Sequence, residues 1–295
     1  MYRIGGIEAG GTKFVCVVAN QAHEILAETV VPTTTPAETF GAALRFFREQ
    51  GGVQALGIAS FGPLVLDPEA PGYGTIGRTP KAGWTGADLL GTFQAGLGVP
   101  TVLDTDVNGA GLAEARLGAG QGLDVMAYLT VGTGVGGGLI IDGRPVHGLT
   151  HPEMGHVRVH RHPLDGDFAG VCPFHGDCLE GMAAGPSVMK RLGHPLREAA
   201  PDHPIWTILG DYIGQFCTTL TLVASPRRIV LGGGVMGNTA LFPLVRSACA
   251  KGLANYVPHP KLAATATDYI VPPGLGDRAG AIGALLLAEG AMRTG

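Results

Sequence analysis

Apolar residues in this chain come in short runs closed by glycine or by a polar turn. Tyr2 to Glu8, Lys13 to Val18 and Glu24 to Val31 predict three strands joined by tight turns, a β-meander. A Thr-Pro-Ala-Glu run ending at Glu38 opens a helix to Gln50, with Phe40, Ala43, Leu44 and Phe47 on one face. Ala55 to Ser60 predicts a short buried strand. A long loop follows from Phe61 to Trp84, in which Thr79, Lys81 and Trp84 form a binding edge unless Trp84 fills the core at the next helix start. Thr101 to Leu103 predicts a strand and Asn108 to Leu117 a helix, then strands over Val125 to Val131 and Leu139 to Ile141. Ile205 to Ala224 predicts a long helix, Arg228 to Leu231 a strand, and Ala281 to Ala288 a helix of small apolar residues.

The turns repeat as well as the strands. Gly10-Gly11-Thr12-Lys13 and Gly132-Thr133-Gly134 each join two strands. Such a turn offers backbone N–H groups, a threonine hydroxyl and, at Lys13, an ammonium to a phosphate; a plain hairpin is the alternative. No P-loop spacing follows, and the GxGxxG at Gly132, Gly134 and Gly137 runs into a strand where a dinucleotide fold needs a helix. Two such hairpins half a chain apart predict a duplicated fold with a nucleotide held between lobes. Gly232, Gly233 and Gly234, followed by Met236, form a third cluster at a strand end, flat enough to pack against a ring such as adenine. Asp104 and Asp106 stand where open α/β sheets place catalytic groups, though an Asp at a helix start is also the usual N-cap.

Composition narrows the class. The 295 residues, 45% hydrophobic, can bury one large core or two medium ones, and a two-lobed enzyme is expected. A net charge of -4 without Lys/Arg runs argues against nucleic acid or an anionic membrane as partner. The longest apolar runs are too short to span a bilayer and no leader precedes Gly5, so the expected location is the cytoplasm. Cys16, Cys217 and Cys249 sit singly in apolar segments, as free buried thiols do.

The remaining two cysteines lie in the densest chemistry of the chain, between His151 and Gly181. Cys172, His175 and Cys178 form one tight knuckle, and a fourth donor from His156, with His151, His160 or His162 as substitutes, completes a tetrahedral zinc set. Four protein ligands leave no open position, so such a metal is structural. Glu153 and Glu180 flank the cluster, where a rigid loop could hold two hydroxyl acceptors in fixed geometry for a sugar.

Glu8 to Lys13, Asp104 to Gly109, Gly132 to Gly136, His151 to His156, Cys178 to Gly181 and Gly232 to Val235 together resemble the ROK family of sugar kinases, in particular its zinc-containing bacterial fructokinases. The resemblance covers nearly the whole chain. It implies an α/β, two-lobed actin/hexokinase-like (ribonuclease H-like) ATPase fold with duplicated β-meander/α lobes. Residues 1–110 plus 280–295 would form the small lobe, and 111–279 the large lobe with the zinc knuckle. It further implies ATP-dependent phosphorylation of a hexose, D-fructose before glucose, mannose or an N-acetylhexosamine, with Asp106 as general base. Glu153, His156 and Glu180 would contact the sugar, and zinc would be held by His156, Cys172, His175 and Cys178. ATP with Mg²⁺ would lie against Gly10, Gly11, Thr12, Lys13, Gly132, Thr133, Gly134, Pro186, Gly232, Gly233, Gly234 and Met236, in a homodimeric enzyme. His175 stands where the commoner family knuckle carries cysteine, and Glu8 where many members carry aspartate. The family's sugar-sensing repressors carry a helix-turn-helix before the first glycine turn, where this chain has five residues before Gly6.

Overall fold

The computed structural model describes residues 2–293; Met1, Thr294 and Gly295, which the expected small-lobe ranges include, lie outside the described residues. The chain divides into two compact units. One runs through Glu114 and takes in Pro145–Pro152 and the residues from Asp277 onward; the other comprises Ala115–Arg144 and Glu153–Gly276. No helix among the described residues is long and apolar enough to cross a membrane.

In the first unit the meander is β1 (Ile4–Ala9), β2 (Lys13–Ala19) and β3 (Ile25–Pro32), followed by α1 (Pro36–Glu49), β4 (Leu56–Ser60), α2 (Leu89–Leu97), β5 (Thr101–Thr105) and α3 (Asp106–Leu117). The Thr35 hydroxyl caps α1 by accepting from Glu38 N–H, and Pro36 fills a first-turn position whose missing N–H costs nothing. The sheet order is β3-β2-β1-β4-β5, antiparallel across the meander and parallel from β1 through β5.

The second unit repeats this pattern. Its strands are β6 (Val125–Val131), β7 (Val135–Ile141), β8 (Arg144–Pro145), β9 (Arg228–Gly232) and β10 (Ile270–Val271), in the order β10-β9-β6-β7-β8. Again the hairpin is antiparallel and the later strands join in parallel. Between β8 and β9 stand α4 (Leu179–Ala183), α5 (Gly185–Leu192) and α6 (Ile205–Ala224), and α7 (Leu241–Leu253) follows β9. Strand β7 starts at Val135, earlier than the apolar run from Leu139 implies, because Gly136 to Gly138 pair with β6 despite their weak strand preference. At Gly137 a Cβ would stand 2.7 Å from Met154 Sδ, so a side chain is given up there for close packing.

Helix α8 (Ala279–Arg293) returns to the first unit and packs flat on β1 and β4. Its small residues are required by that approach: a Cβ on Gly57 would lie 1.9 Å from the Ala284 carbonyl oxygen. The core of this unit gathers Phe14, Phe40, Phe47, Phe93 and Trp84. Trp84 is fully buried, its ring 5.5–5.7 Å from those of Phe14, Phe40 and Phe61, and its Nε1–H donates to the Thr34 carbonyl at 2.8 Å. The tryptophan is therefore an anchor for the 61–84 loop and not a binding edge.

Candidate active site

The functional residues of the first unit lie at the carboxyl ends of its parallel strands. The chain passes from β5 into α3 without a connecting loop, and Asp106 is the first helical residue. Its Oδ1 accepts from Val107 N–H at 2.9 Å. Asp104, two residues earlier, is buried and its Oδ1 collects several donors. Thr105 N–H and Asn108 Nδ2 each donate to it at 2.7 Å, and His147 Nε2 stands 3.1 Å from both carboxylate oxygens. Thr105 Oγ1 accepts from Asn108 N–H at 3.1 Å. Of the two aspartates, Asp104 braces the turn, and Asp106 is carried by it.

At the end of β1 the Gly10–Lys13 turn points its carbonyls into the protein. The Gly10 and Thr12 oxygens accept from Thr33 Oγ1 (2.8 Å) and Thr33 N–H (2.9 Å), while Gly11, Thr12 and Lys13 are exposed. Neither Gly10 nor Gly11 is in the left-handed region, and a Cβ on Gly11 would meet no atom within 4 Å. The hairpin itself does not require glycine at position 11; the bare backbone leaves room for a group approaching from outside. Beside the turn, burial holds the Glu8 carboxyl above its ordinary value against the pull of Lys13, with Asp277 and Glu28 adding to the rise.

In the second unit three glycine-bearing segments meet. Gly185 N–H, opening α5 with Pro186 next to it, donates to the Gly132 carbonyl at 2.7 Å. A Cβ on Gly132 would stand 3.8 Å from Gly234 N. Gly233 has a φ of +90° and lies against the Val131 backbone, so glycine there is structural, whereas a Cβ on Gly234 would meet nothing. Met236 is buried beneath this cluster, and Thr133 stands between Gly132 and Gly134. The carboxyl ends of β6 and β9 thus offer a floor of bare backbone beside a helix start, which suits a phosphorylated ligand.

The knuckle lies next to this floor along the chain. His156, Cys172, His175 and Cys178 bring their donor atoms within 4.8 Å of one another. Cys172 Sγ is 3.7 Å from His156 Nδ1 and 3.8 Å from His175 Nδ1, and Cys178 Sγ is 3.5 Å from His156 Nδ1. Tetrahedral zinc with ordinary bond lengths sets sulfur and nitrogen about 3.6 Å apart. The donor set and its spacing therefore fit a closed zinc site. Burial pushes the Cys178 thiol up to about 11, with Cys172 and Glu180 raising it further and the Gly181 backbone opposing, a cost that a divalent cation on the sulfurs reverses.

The other three histidines stand apart from this cluster. His151 Nε2 accepts from Leu64 N–H in the first unit, the His160 backbone is bonded to Gln215, and His162 Nδ1 caps a short turn through Leu164 N–H. Glu180, the second residue after Cys178, reaches the glycine turn: its Oε2 accepts from Val135 N–H at 3.0 Å, and a Cβ on Gly134 would sit 2.7 Å from it. Glu153 is exposed at the start of the turn that carries His156. Sequence reasoning missed His147, whose partner Asp104 lies about forty positions earlier in the chain, with no local pattern to announce the contact.

Comparison with known proteins agrees with this architecture. Residues 4–291 match the ROK family. The chain is 44% identical over 290 residues to a fructokinase from Pediococcus pentosaceus, covering 98% of this chain and 99% of that protein. It is 45% identical over 291 residues to a fructokinase from Zymomonas mobilis, covering 96% and 95%. Among solved structures, a ROK family glucokinase from Streptomyces griseus in complex with glucose and AMPPNP superposes with a TM-score of 0.77 at 25% identity, covering 98% of this chain and 99% of that one.

Proposed function

The chain belongs to the ROK family, and we propose on that footing that it is an ATP-dependent sugar kinase converting D-fructose to D-fructose 6-phosphate. The observation that carries this reading is identity of 44–45% with two fructokinases over nearly the full length of each. The Streptomyces griseus glucokinase, crystallised with glucose and AMPPNP, supports ATP as donor and keeps glucose as the second candidate acceptor.

Phosphoryl transfer asks a protein chiefly for positioning and charge neutralisation. In this proposal Asp106 aligns the attacking sugar hydroxyl and takes its proton. Glu153, His156 and Glu180 hold the other sugar hydroxyls. The turns at Gly10–Lys13 and Gly132–Gly134 receive the phosphates of the ATP–Mg²⁺ complex through backbone N–H groups, the Thr12 and Thr133 hydroxyls and Lys13. Pro186, Gly232–Gly234 and Met236 flank the nucleotide. His156, Cys172, His175 and Cys178 hold a zinc ion whose part is structural: it fixes the loop that carries Glu153 and leads into Glu180. We include a cytoplasmic homodimer in the proposal on the family resemblance alone; the mass in solution checks the oligomeric state.

The test is ATP-dependent ADP release with fructose, mannose, glucose and N-acetylglucosamine offered separately, for the wild type and Asp106→Asn. Fructose is expected to lead, and the variant to lose on the order of a hundredfold or more in kcat. A variant that keeps wild-type turnover removes Asp106 as base, and a different leading sugar changes the acceptor while leaving the chemistry.

A further inference from the structure

We propose that His147 is a positioning residue for the turn that carries Asp106, acting through Asp104. The inference rests on the reading of Asp106 as the base.

The five residues from Asp104 to Asn108 form a closed turn. Asp104 Oδ1 accepts from Asn108 Nδ2 at 2.7 Å, Asn108 N–H donates back to Thr105 Oγ1, and Asp106 lies at the centre of the arc. Its first two residues, Asp104 and Thr105, end β5 and pair with Ala59 and Ser60 of β4, so the sheet holds the backbone of the arc on that side, while the Asp104 side chain is left to its own partners. His147 supplies a fixed point from outside. Facing a carboxylate, its Nε2 carries the proton and donates to Asp104, 3.1 Å from each oxygen, while Asn108 Nδ2 lies 3.3 Å away. The ring nitrogen and the Asn108 amide are both donors to the same carboxylate, so His147 holds the arc at Asp104 and Asn108 closes it from the other end.

Two features set this apart from ordinary core packing. The His147 side chain is 39% exposed, so it contributes little apolar burial, and its contacts are polar. Asn108 is fully buried, and its Oδ1 has no hydrogen-bond partner among the described residues. An unsatisfied buried carbonyl is destabilising, a penalty that a purely structural position would avoid by carrying an apolar residue. The amide is kept for its Nδ2, which closes the arc. The strap that brings His147, Pro145–Pro152, belongs to the first unit and is fastened a second time by His151, whose Nε2 accepts from Leu64 N–H at 2.9 Å. Its two histidines therefore hold the end of β5, at Asp104, and the segment that follows β4, at Leu64.

The experiment compares His147→Ala, His147→Gln and Asp106→Asn with the wild type, reading kcat, KM for ATP, KM for fructose and Tm. His147→Ala is expected to lower kcat tenfold to about a hundredfold, the loss that a misplacement near 1 Å brings. KM for ATP is expected to stay within about twofold. His147→Gln, which keeps an N–H donor, is expected to recover most of kcat. Unchanged kcat in His147→Ala overturns the proposal; so does a loss that follows Tm and is not recovered by glutamine. The two readings separate cleanly: an active Asp106→Asn removes the base assignment whatever His147 does. An inactive Asp106→Asn beside a normal His147→Ala removes only the positioning role.

Discussion

Asp104 shows at the scale of one residue how the site is ordered. A buried carboxylate is costly unless its lone pairs are filled, and here three donors from three residues fill them. The hydrogen bond to Asp104 raises the His147 pKa above its ordinary 6.5, with partial burial opposing and the carboxylate's charge adding to the rise. A raised imidazole pKa means that the pair's contribution to stability is complete below about 6.5 and fades as pH climbs through the raised value. An NMR titration of the ring in wild type and in Asp104→Asn reads this directly. The midpoint is expected to fall in the variant, and a midpoint that stays put would show that Asp104 is not the cause. In the sequence, Asp104 and Asp106 were equivalent candidates for N-cap or base. The family resemblance implies Asp106 as the base, and the structure adds the donors converging on Asp104, one of them from a distant strap.

Among the elements, the 156–178 loop depends most on something besides its own apolar content. Among its described residues, Val157, Val159 and Phe168 pack against the core of the second unit, and they are partly buried. Its far side is fastened by a buried ion pair: Arg191 holds Asp165 through two hydrogen bonds of 2.6 and 2.7 Å, Tyr212 donates to the same carboxylate, and the guanidinium lies 3.7 Å over the Phe168 ring. The near side has the four donors of the knuckle. Structural zinc supplies on the order of 10 kcal/mol or more in small sites, comparable to the stability of a whole domain. Chelation, or Cys178→Ser, is accordingly expected to lower Tm by about 10 °C or more, and mass spectrometry of the native protein to find one zinc per chain. A metal-free protein with unchanged Tm would contradict the assignment. The knuckle was legible because short Cys/His spacings force the donors together. Spacing alone left the fourth open among His151, His156, His160 and His162; the family resemblance implied His156, and the structure places that ring beside the two cysteines and His175. The glycine turns were legible as turns, while the start of β7 at Val135 was hidden by glycines that pair for packing reasons unseen in the sequence.

For the whole molecule, the two sheets are copies in topology, β3-β2-β1-β4-β5 and β8-β7-β6-β9-β10, each with a glycine turn after its first strand. The duplication could be read from two strand–turn–strand motifs half a chain apart. The family resemblance put residues 280–295 with the small lobe; that Pro145–Pro152 groups with the first unit could not be read, because its contacts follow no local pattern. The same architecture serves kinases for several sugars, so the acceptor has to be found by chemistry. The most direct measurement is ³¹P and ¹³C NMR of the product formed from ATP and D-fructose by the zinc-replete protein. The expected result is stoichiometric ADP with phosphate on the C6 oxygen, formed by the wild type and not by Asp106→Asn. ADP without a sugar phosphate, or phosphate carried on another hydroxyl, would contradict the account.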